Sequence, residues 1–408
     1  MEREESGSLG SLREFNRDRV VQTLRMLGVA SRADVARRTG LSRSTVSSIV
    51  AELQAEGLIV DRDSDGRPAT GGGRPPALIA LDPSAGLAIG IDFGKRHLAV
   101  AIADLSHEIL GEAWGEMPND YEAAVGIERA AELVEQVIAD SGAPRDRILG
   151  VGIGLPGPVH SSGTVGSSAI LPGWAGTKAA ERITERLGLQ AWLRNDANLG
   201  ALSEATWGSG RGCSTVVYLK LATGIGAGIM IDGELFGGAG GTAGEIGHTS
   251  LDETGEICRC GSRGCLETYA GGAAIAALLS RSVGRQLDIE DVLQRASAGD
   301  PACRRALAEA GRHIGVAVAN LCNLVNPERI VVGGSMGYAG DLLLDPLKES
   351  VKLRAIPSAV EDVEVVLADL GERAELLGAI ALVLHEAGPA WSGRAPAMEK
   401  AATADTEP

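Results

Sequence analysis

Apolar positions in the first eighty residues recur with the period of a helix, and from Leu87 onward mostly as short strand-like runs. Val20, Val21, Leu24 and Leu27 share one face of a helix that begins at about Asn16. Ser31, with Asp34 three residues on, reads as the N-cap of a short helix through Val35 and Ala36 to Thr39, which Gly40 ends. Ser42 caps a third helix that buries Val46, Ile49, Val50 and Leu53. Its opposite face holds Arg43, Ser44, Thr45, Ser47 and Ser48. Short hydrogen-bonding side chains of this kind reach phosphates and base edges from a helix lying in the major groove. Gly57 to Val60 then predicts a strand, Asp61 to Gly73 a polar hairpin, and Arg74 to Ile79 the return. The result is a wing, whose Arg67 and Arg74 are placed to reach a minor groove or phosphates. The plainer alternative is a dimerisation or protein-binding module with a solvated serine-rich face. Helix, glycine turn, capped helix and wing, in that order, favour DNA contact.

Beyond this module, Leu87–Phe93, His97–Asp104 and Ile109–Met117 are three short apolar runs separated by tight turns. An amphipathic helix follows through Ala130, Leu133, Val134 and Val137, and Ile148–Gly152 is a further strand leading into Leu155-Pro156-Gly157-Pro158. The scheme repeats. Thr215–Leu221 and Ala227–Ile231 flank a glycine-rich turn, Asp232-Gly233 closes a hairpin, helices fill the middle, and Arg329–Val332 precedes Gly333-Gly334. Two meander-plus-helix halves predict a two-lobed α/β fold, with a glycine-rich turn from each half facing the cleft between them, as in domains that clamp phosphates.

Charge sharpens the division. Residues 1–81 hold 12 Arg, no Lys and 11 acidic residues, a net of +1 in a chain of net charge −16. A small arginine-only module ahead of a large acidic one fits localised DNA contact better than coating of a polyanion. No apolar stretch approaches the roughly 20 residues of a membrane span, and the acidic start Met1-Glu2-Arg3-Glu4-Glu5 does not read as a signal peptide. A cytoplasmic location is expected. Of six cysteines, Cys258, Cys260 and Cys265 fall within eight residues, while Cys213, Cys303 and Cys322 are scattered. Such a cluster in a cytosolic chain suggests a metal site before a disulfide framework.

Several glycine-rich motifs occur in one order: Gly152-Ile153-Gly154-Leu155-Pro156-Gly157-Pro158, Leu171-Pro172-Gly173-Trp174, Asn195-Asp196-Ala197-Asn198, and Thr223-Gly224-Ile225-Gly226-Ala227-Gly228. The most specific run goes from Gly244-Glu245-Ile246-Gly247-His248 to Cys258-x-Cys260-Gly261-x-x-Gly264-Cys265-Leu266-Glu267. Together they resemble the ROK family (repressors, uncharacterised frames and sugar kinases) of the actin-like ATPases, over nearly the whole chain. The resemblance implies an α/β, ribonuclease H-like, two-lobed sugar-kinase fold preceded by an α+β winged helix-turn-helix. The expected division is 1–81 for the DNA-binding domain and 82–391 for the sugar-kinase-like domain. Its lobes would be 82–196 plus the C-terminal helix, and 197–372, with a disordered tail at 392–408.

His248, Cys258, Cys260 and Cys265 supply one imidazole and three thiolates, a complete tetrahedral shell typical of structural zinc with no open position for catalysis. The resemblance implies that this site braces the loop carrying the sugar-binding residues. It places Asn195, Asp196, Glu245, His248 and Glu267 in a sugar pocket, with Asp196 matching the general base of the kinases. Nucleotide contacts would fall on Asp92, Gly94, Thr223, Gly224, Gly333 and Gly334, with ATP and Mg2+ as cofactors if kinase activity is retained. The kinases carry Asp-x-Gly-Gly-Thr after the first strand, whereas this chain reads Asp92-Phe93-Gly94-Lys95-Arg96. Long cations replace a glycine that lets amides approach phosphate and a threonine that donates a hydroxyl. The expected function is therefore a sugar-responsive regulator, a repressor of carbohydrate genes, whose partners are operator DNA, a sugar or sugar phosphate, and a second copy of itself in a dimer or tetramer. An ATP-dependent hexose kinase that also binds DNA is the runner-up.

Overall fold

The computed structural model describes residues 12–62 and 77–387, except positions 14, 18, 22, 25, 26, 106 and 167–170. The expected wing loop, with Arg67 and Arg74, and the tail 392–408 lie outside the described residues.

The described positions between 12 and 27 are all helical, so the first helix starts before the expected Asn16. A short strand β1 (Val29–Ser31) follows, then α1 (Arg32–Thr39) and α2 (Arg43–Ala55). Ser31 and Asp34 form a capping box: the Asp34 amide donates to Ser31 Oγ at 3.2 Å and the Ser31 amide to Asp34 Oδ2 at 3.1 Å. Gly40 closes α1 at φ +68°, a left-handed conformation that favours glycine. Ser42 caps α2 by accepting from the Thr45 amide at 3.1 Å. Val46, Ile49, Val50 and Leu53 are buried, as the helical period predicts. Strands β2 (Ile59–Arg62) and β3 (Leu78–Leu81) complete an antiparallel sheet of order β1-β3-β2. Of the expected return, Leu78 and Ile79 are strand; its expected start at Arg74 to Pro76 lies outside the described residues.

The first large sheet has the order β6-β5-β4-β7-β8. It consists of β4 (Leu87–Phe93), β5 (His97–Asp104) and β6 (Ile109–Glu116) as an antiparallel meander, then β7 (Ile148–Leu155) and β8 (Ala191–Asn195) in parallel. Helices α3 (Ala123–Ser141) and α4 (Ala179–Leu187) lie between these strands in sequence. Helix α5 (Asp196–Thr206) starts where β8 ends. The second sheet repeats the order as β11-β10-β9-β12-β13, from β9 (Thr215–Leu221), β10 (Ile225–Ile231), β11 (Glu234–Leu235), β12 (Arg329–Gly333) and β13 (Glu364–Leu367). Asp232 and Gly233, both at positive φ, make the tight hairpin between β10 and β11. Between β11 and β12 come α6 (Leu266–Ala270), α7 (Gly272–Val283), α8 (Ile289–Ser297) and α9 (Pro301–Val325). Helix α10 (Asp341–Arg354) precedes β13, and α11 (Ala374–Glu386) ends the fold. Strand β7 runs three residues past the predicted Gly152, and β10 starts two residues before Ala227; glycines in both hid the strand pattern.

All seven residues of β4 are buried, because α11 lies across one face of its sheet while α3 packs on neighbouring β5 and β6. Helix α5 lies on β9 and β10 and against α11, so the two helices form the seam between the sheets. The approach is close: a Cβ on Gly152 would stand 1.8 Å from the Ala379 carbonyl oxygen, and one on Gly378 2.1 Å from that of Leu199. The apolar core of the N-terminal module is continuous with this seam. Val46, Leu53 and Leu81 belong to one buried cluster with Ala88, Ala101, Ile380 and Leu384. Among the described residues no helix is long and apolar enough to cross a membrane.

Candidate functional site

The loop from Gly244 to Cys265 is shaped by short-range constraints. A 3-10 turn spans Ile246–His248, and isolated bridges pair Ser250 with Cys265 and Ile257 with Arg263. Gly264 sits at φ +61°, where a Cβ would meet the Asp252 carbonyl at 1.7 Å, so the chain can turn here only with glycine. This folding gathers His248, Cys258, Cys260 and Cys265 until their ligand atoms all lie within 4.8 Å of one another. Cys258 Sγ is 3.5 Å from His248 Nδ1, and Cys260 Sγ is 3.7 Å from Cys265 Sγ. A tetrahedral ion bound at ordinary metal–sulfur and metal–nitrogen lengths would set its sulfurs about 3.8 Å apart and a sulfur–nitrogen pair about 3.5 Å apart. The donor set fits such an ion. His248 turns Nδ1 toward the sulfurs, which leaves Nε2 for a second partner.

Cys265 then caps α6, which carries Glu267 in its first turn. Glu267 accepts from the Ile225 amide at 3.1 Å and pairs with Arg259, whose Nε is 2.9 Å from Oε1. Arg259, between two of the cysteines, thus ties the loop to the glycine turn at Thr223-Gly224. Sequence reasoning did not single it out. Glu245 is largely withdrawn from water, and burial raises its carboxyl above the ordinary range. The charges of Asp196 and Glu267 add to the rise, and those of His248 and Arg259 oppose it. Four of the five predicted sugar residues, Asp196, Glu245, His248 and Glu267, therefore share one electrostatic neighbourhood. Asn195 is the N-cap of α5: its Oδ1 accepts from the Ala197 amide at 2.8 Å and its Nδ2 donates to the Gly157 carbonyl at 2.7 Å. One amide hydrogen and one lone pair remain for a ligand.

Asp196 opens α5. Its Oδ1 takes the Ala197 amide at 2.8 Å and its Oδ2 accepts from Lys220 Nζ at 2.9 Å. Lys220 also stands 3.0 Å from Glu375 Oε1, at the start of α11. Neither residue was anticipated from sequence, although each is a lone charge in an otherwise apolar run, Val216–Leu221 and Ala374–Leu384.

The first glycine turn differs from its expected form. Lys95 and Arg96 are exposed. The space beside Gly94 is filled instead by His97, whose Cε1 would lie 1.9 Å from a Cβ there. His97 Nε2 is 3.1 Å from Asp92 Oδ2, and this hydrogen bond raises the imidazole above its usual value of 6.5. Tyr121 donates to the Gly94 carbonyl at 3.0 Å from the other side. In the second lobe, Thr223 is exposed and the Ala273 amide donates to its carbonyl at 3.0 Å. Gly333 lies over the buried Tyr218 hydroxyl, and Gly334, at φ +78°, lies against the Leu221 carbonyl.

On α2, Arg43, Ser44, Ser47 and Ser48 are exposed and Thr45 is half-buried. Ser42 Oγ lies 2.8 Å from both Ser44 Oγ and Thr45 Oγ1, so the hydroxyls at the start of this helix form a local chain. Glu52 and Glu56 further along are paired with Arg13 and Arg17, which removes much of their repulsion toward a polyanion.

Residues 88–386 match the ROK family, and residues 21–68 match the MarR family. The chain belongs to the ROK family. It is 31% identical to the xylose repressor of Caldicellulosiruptor bescii, over 92% of this chain and 96% of that protein. It is similar to the crystal structure of a ROK family transcriptional regulator, a homologue of the E. coli MLC protein. That likeness has a TM-score of 0.78 and 25% identity, over 93% of this chain and 98% of the other. The large domain is also similar to a ROK family glucokinase from Streptomyces griseus, solved with glucose and AMPPNP. There the TM-score is 0.63 and the identity 29%, over 73% of this chain and 99% of that one. A helix-turn-helix module ahead of a sugar-kinase-like domain is the architecture of a sugar-responsive transcriptional repressor.

Proposed function

We propose that the chain represses carbohydrate genes by binding operator DNA through α2 and the wing, and that a sugar in the cleft changes that binding. The hydroxyls of the sugar are held by Asn195, Asp196, Glu245, Glu267 and the free Nε2 of His248. Residues 1–81 act as the DNA-binding domain, and 82–391 as the receptor. Arg43, Ser44, Thr45, Ser47 and Ser48 meet the major groove, while Arg67 and Arg74 meet phosphates or the minor groove. The working form is a dimer or tetramer, since a helix-turn-helix reads paired half-sites.

The observation that carries this reading is the double use of His248. The same imidazole that turns Nδ1 to the Cys258 sulfur, inside the cluster with Cys260 and Cys265, stands in the electrostatic neighbourhood of Glu245. Zinc held by His248, Cys258, Cys260 and Cys265 supplies structural cross-linking of the loop and no catalysis, because four protein donors complete its shell. The loop's own residues do the positioning: Cys265 starts α6, and Glu267 on α6 is locked by Ile225 and Arg259. A sugar can act on DNA affinity only by binding two conformations unequally.

The test is thermal unfolding of the full chain with D-xylose, D-glucose, N-acetyl-D-glucosamine and their phosphates. A sugar at about 100 times its Kd stabilises the native state by about 2.7 kcal/mol. One sugar should raise the melting temperature, and the Cys260→Ser variant should lose both zinc and that response. No shift with any sugar, or full zinc content in Cys260→Ser, would overturn the assignment.

A further inference from the structure

The two helices of the seam both begin beside Lys220. Asp196 is the first residue of α5 and Glu375 the second of α11. Each carboxylate offsets the positive end of its own helix. Between them stands Lys220, from β9, with Nζ 2.9 Å from Asp196 Oδ2 and 3.0 Å from Glu375 Oε1. Asp92 acts on the same ammonium and is itself bonded to His97. Three carboxylates from three elements thus face one ammonium and one imidazole of the protein's own.

A nucleotide's phosphates are bound by backbone amides beside glycines, by helix N-termini, and by a divalent cation held on carboxylates. Around Asp92, Asp196 and Glu375 these handles are already taken, and the Gly94 amide itself donates to the His97 carbonyl at 2.9 Å. The His97 ring covers Gly94, the helix ends are met by Asp196 and Glu375, and those carboxylates are met by Lys220. A Mg2+ placed between Asp196 and Glu375 would have to displace a tethered ammonium or stand beside it, and like charges at that distance repel strongly. The residues present therefore do not fit a metal–nucleotide.

We infer that Lys220 is the residue that sets the specificity of the cleft: its ammonium occupies the place of the divalent cation among Asp92, Asp196 and Glu375, so the site takes an uncharged sugar and refuses a metal–nucleotide. It also positions Asp196, directing Oδ2 inward as an ion-pair partner and keeping it from serving as a base toward a sugar hydroxyl. The inference builds on the sugar-receptor reading above, and its test is independent of any sugar.

The probe is Mn2+, titrated into zinc-loaded full-length protein, with bound metal read by electron paramagnetic resonance, and then Mn–AMPPNP by calorimetry. The parent should show only the weak background of an acidic surface. Lys220→Met should gain one site at least tenfold tighter than that background, and Lys220→Arg should return to the parent behaviour. If Lys220→Met does not fold, Lys220→Met combined with Glu375→Gln removes the ammonium with one carboxylate and is read the same way, against Glu375→Gln alone. A merely structural ion pair would move the melting temperature in these variants without creating a metal site. Tight Mn2+ binding by the parent, or none gained by a folded variant lacking Lys220, would overturn the inference. Failure of the sugar-receptor reading would show instead as a melting temperature that no sugar moves.

Discussion

At the scale of residues, the pair His97–Asp92 joins an exposed imidazole to a buried carboxylate beside the Lys220 cluster. The hydrogen bond to Asp92 raises His97, as do the charges of Asp92 and Glu375, while burial and Lys220 push it down. A histidine raised in the folded state contributes stability that is fully present below its unfolded value of about 6.5 and is lost as pH climbs through the higher folded value. The imidazole should therefore titrate above 6.5 by NMR, and Asp92→Asn should bring it back to about 6.5 or below. An imidazole that titrates at the same pH in both proteins would show that the pair does not form in solution. Residues of this kind were the hardest to read beforehand. The cysteine spacing announced its own chemistry, because three thiolates within eight residues have few other uses. Lys220, His97 and Glu375 carry no motif. Their meaning arises only when β9, the β4–β5 turn and α11 are brought together from positions more than a hundred residues apart.

At the scale of elements, α5 runs from the Asp196–Lys220 ion pair to the apolar cluster shared with the DNA-binding module. Its N-terminus holds Asn195 and Asp196, and its 11 residues span about 16 Å. At the far end Trp207 lies against His107 of the β5–β6 turn, its ring tilted 47° with centroids 3.8 Å apart, and packs on the apolar cluster shared with the DNA-binding module. Glu204, fully buried, accepts from the amides of Ser209, Asp369 and Leu370 and so fixes the turn that follows. In that turn the Arg211 guanidinium reaches Gly28, where a Cβ would lie 3.9 Å away. Any shift of α5 on sugar binding would be passed by these contacts to the N-terminal module. Trp207→Ala should keep the sugar-induced rise in melting temperature and reduce the effect of sugar on DNA affinity severalfold, measured with duplexes selected by the parent protein. An unchanged sugar effect on DNA would exclude Trp207 from the link. The helix-turn-helix elements were legible because caps and period agree at Ser31, Gly40 and Ser42. The strands β8 and β13 were not, since five- and four-residue strands with mixed polarity look like loops until a neighbour pairs with them.

At the scale of the whole molecule, the sequence divides the chain at about residue 81, and charge supports the division, yet the buried apolar surface crosses it. Leu58, Ile79 and Leu81 are in one cluster with Ala88, Ala103, Leu376 and Ile380, and the Asp82 amide donates to the Leu58 carbonyl at 2.9 Å. Periodicity shows which face of each element is apolar; it does not show that two faces from different modules meet. Such a joint has a thermodynamic consequence. If the module shares its core with the first sheet and α11, opening it exposes apolar surface on both sides, so the two parts unfold together and a ligand of one stabilises the other. Hydrogen exchange should then show sugar-induced slowing at the buried amides of α2 as well as in β4 and α11. The slowing at α2 should approach that of the receptor in magnitude. Exchange at α2 that ignores sugar while β4 responds would mean a module that opens alone, and the repressor would have to transmit its signal through the relation between protomers.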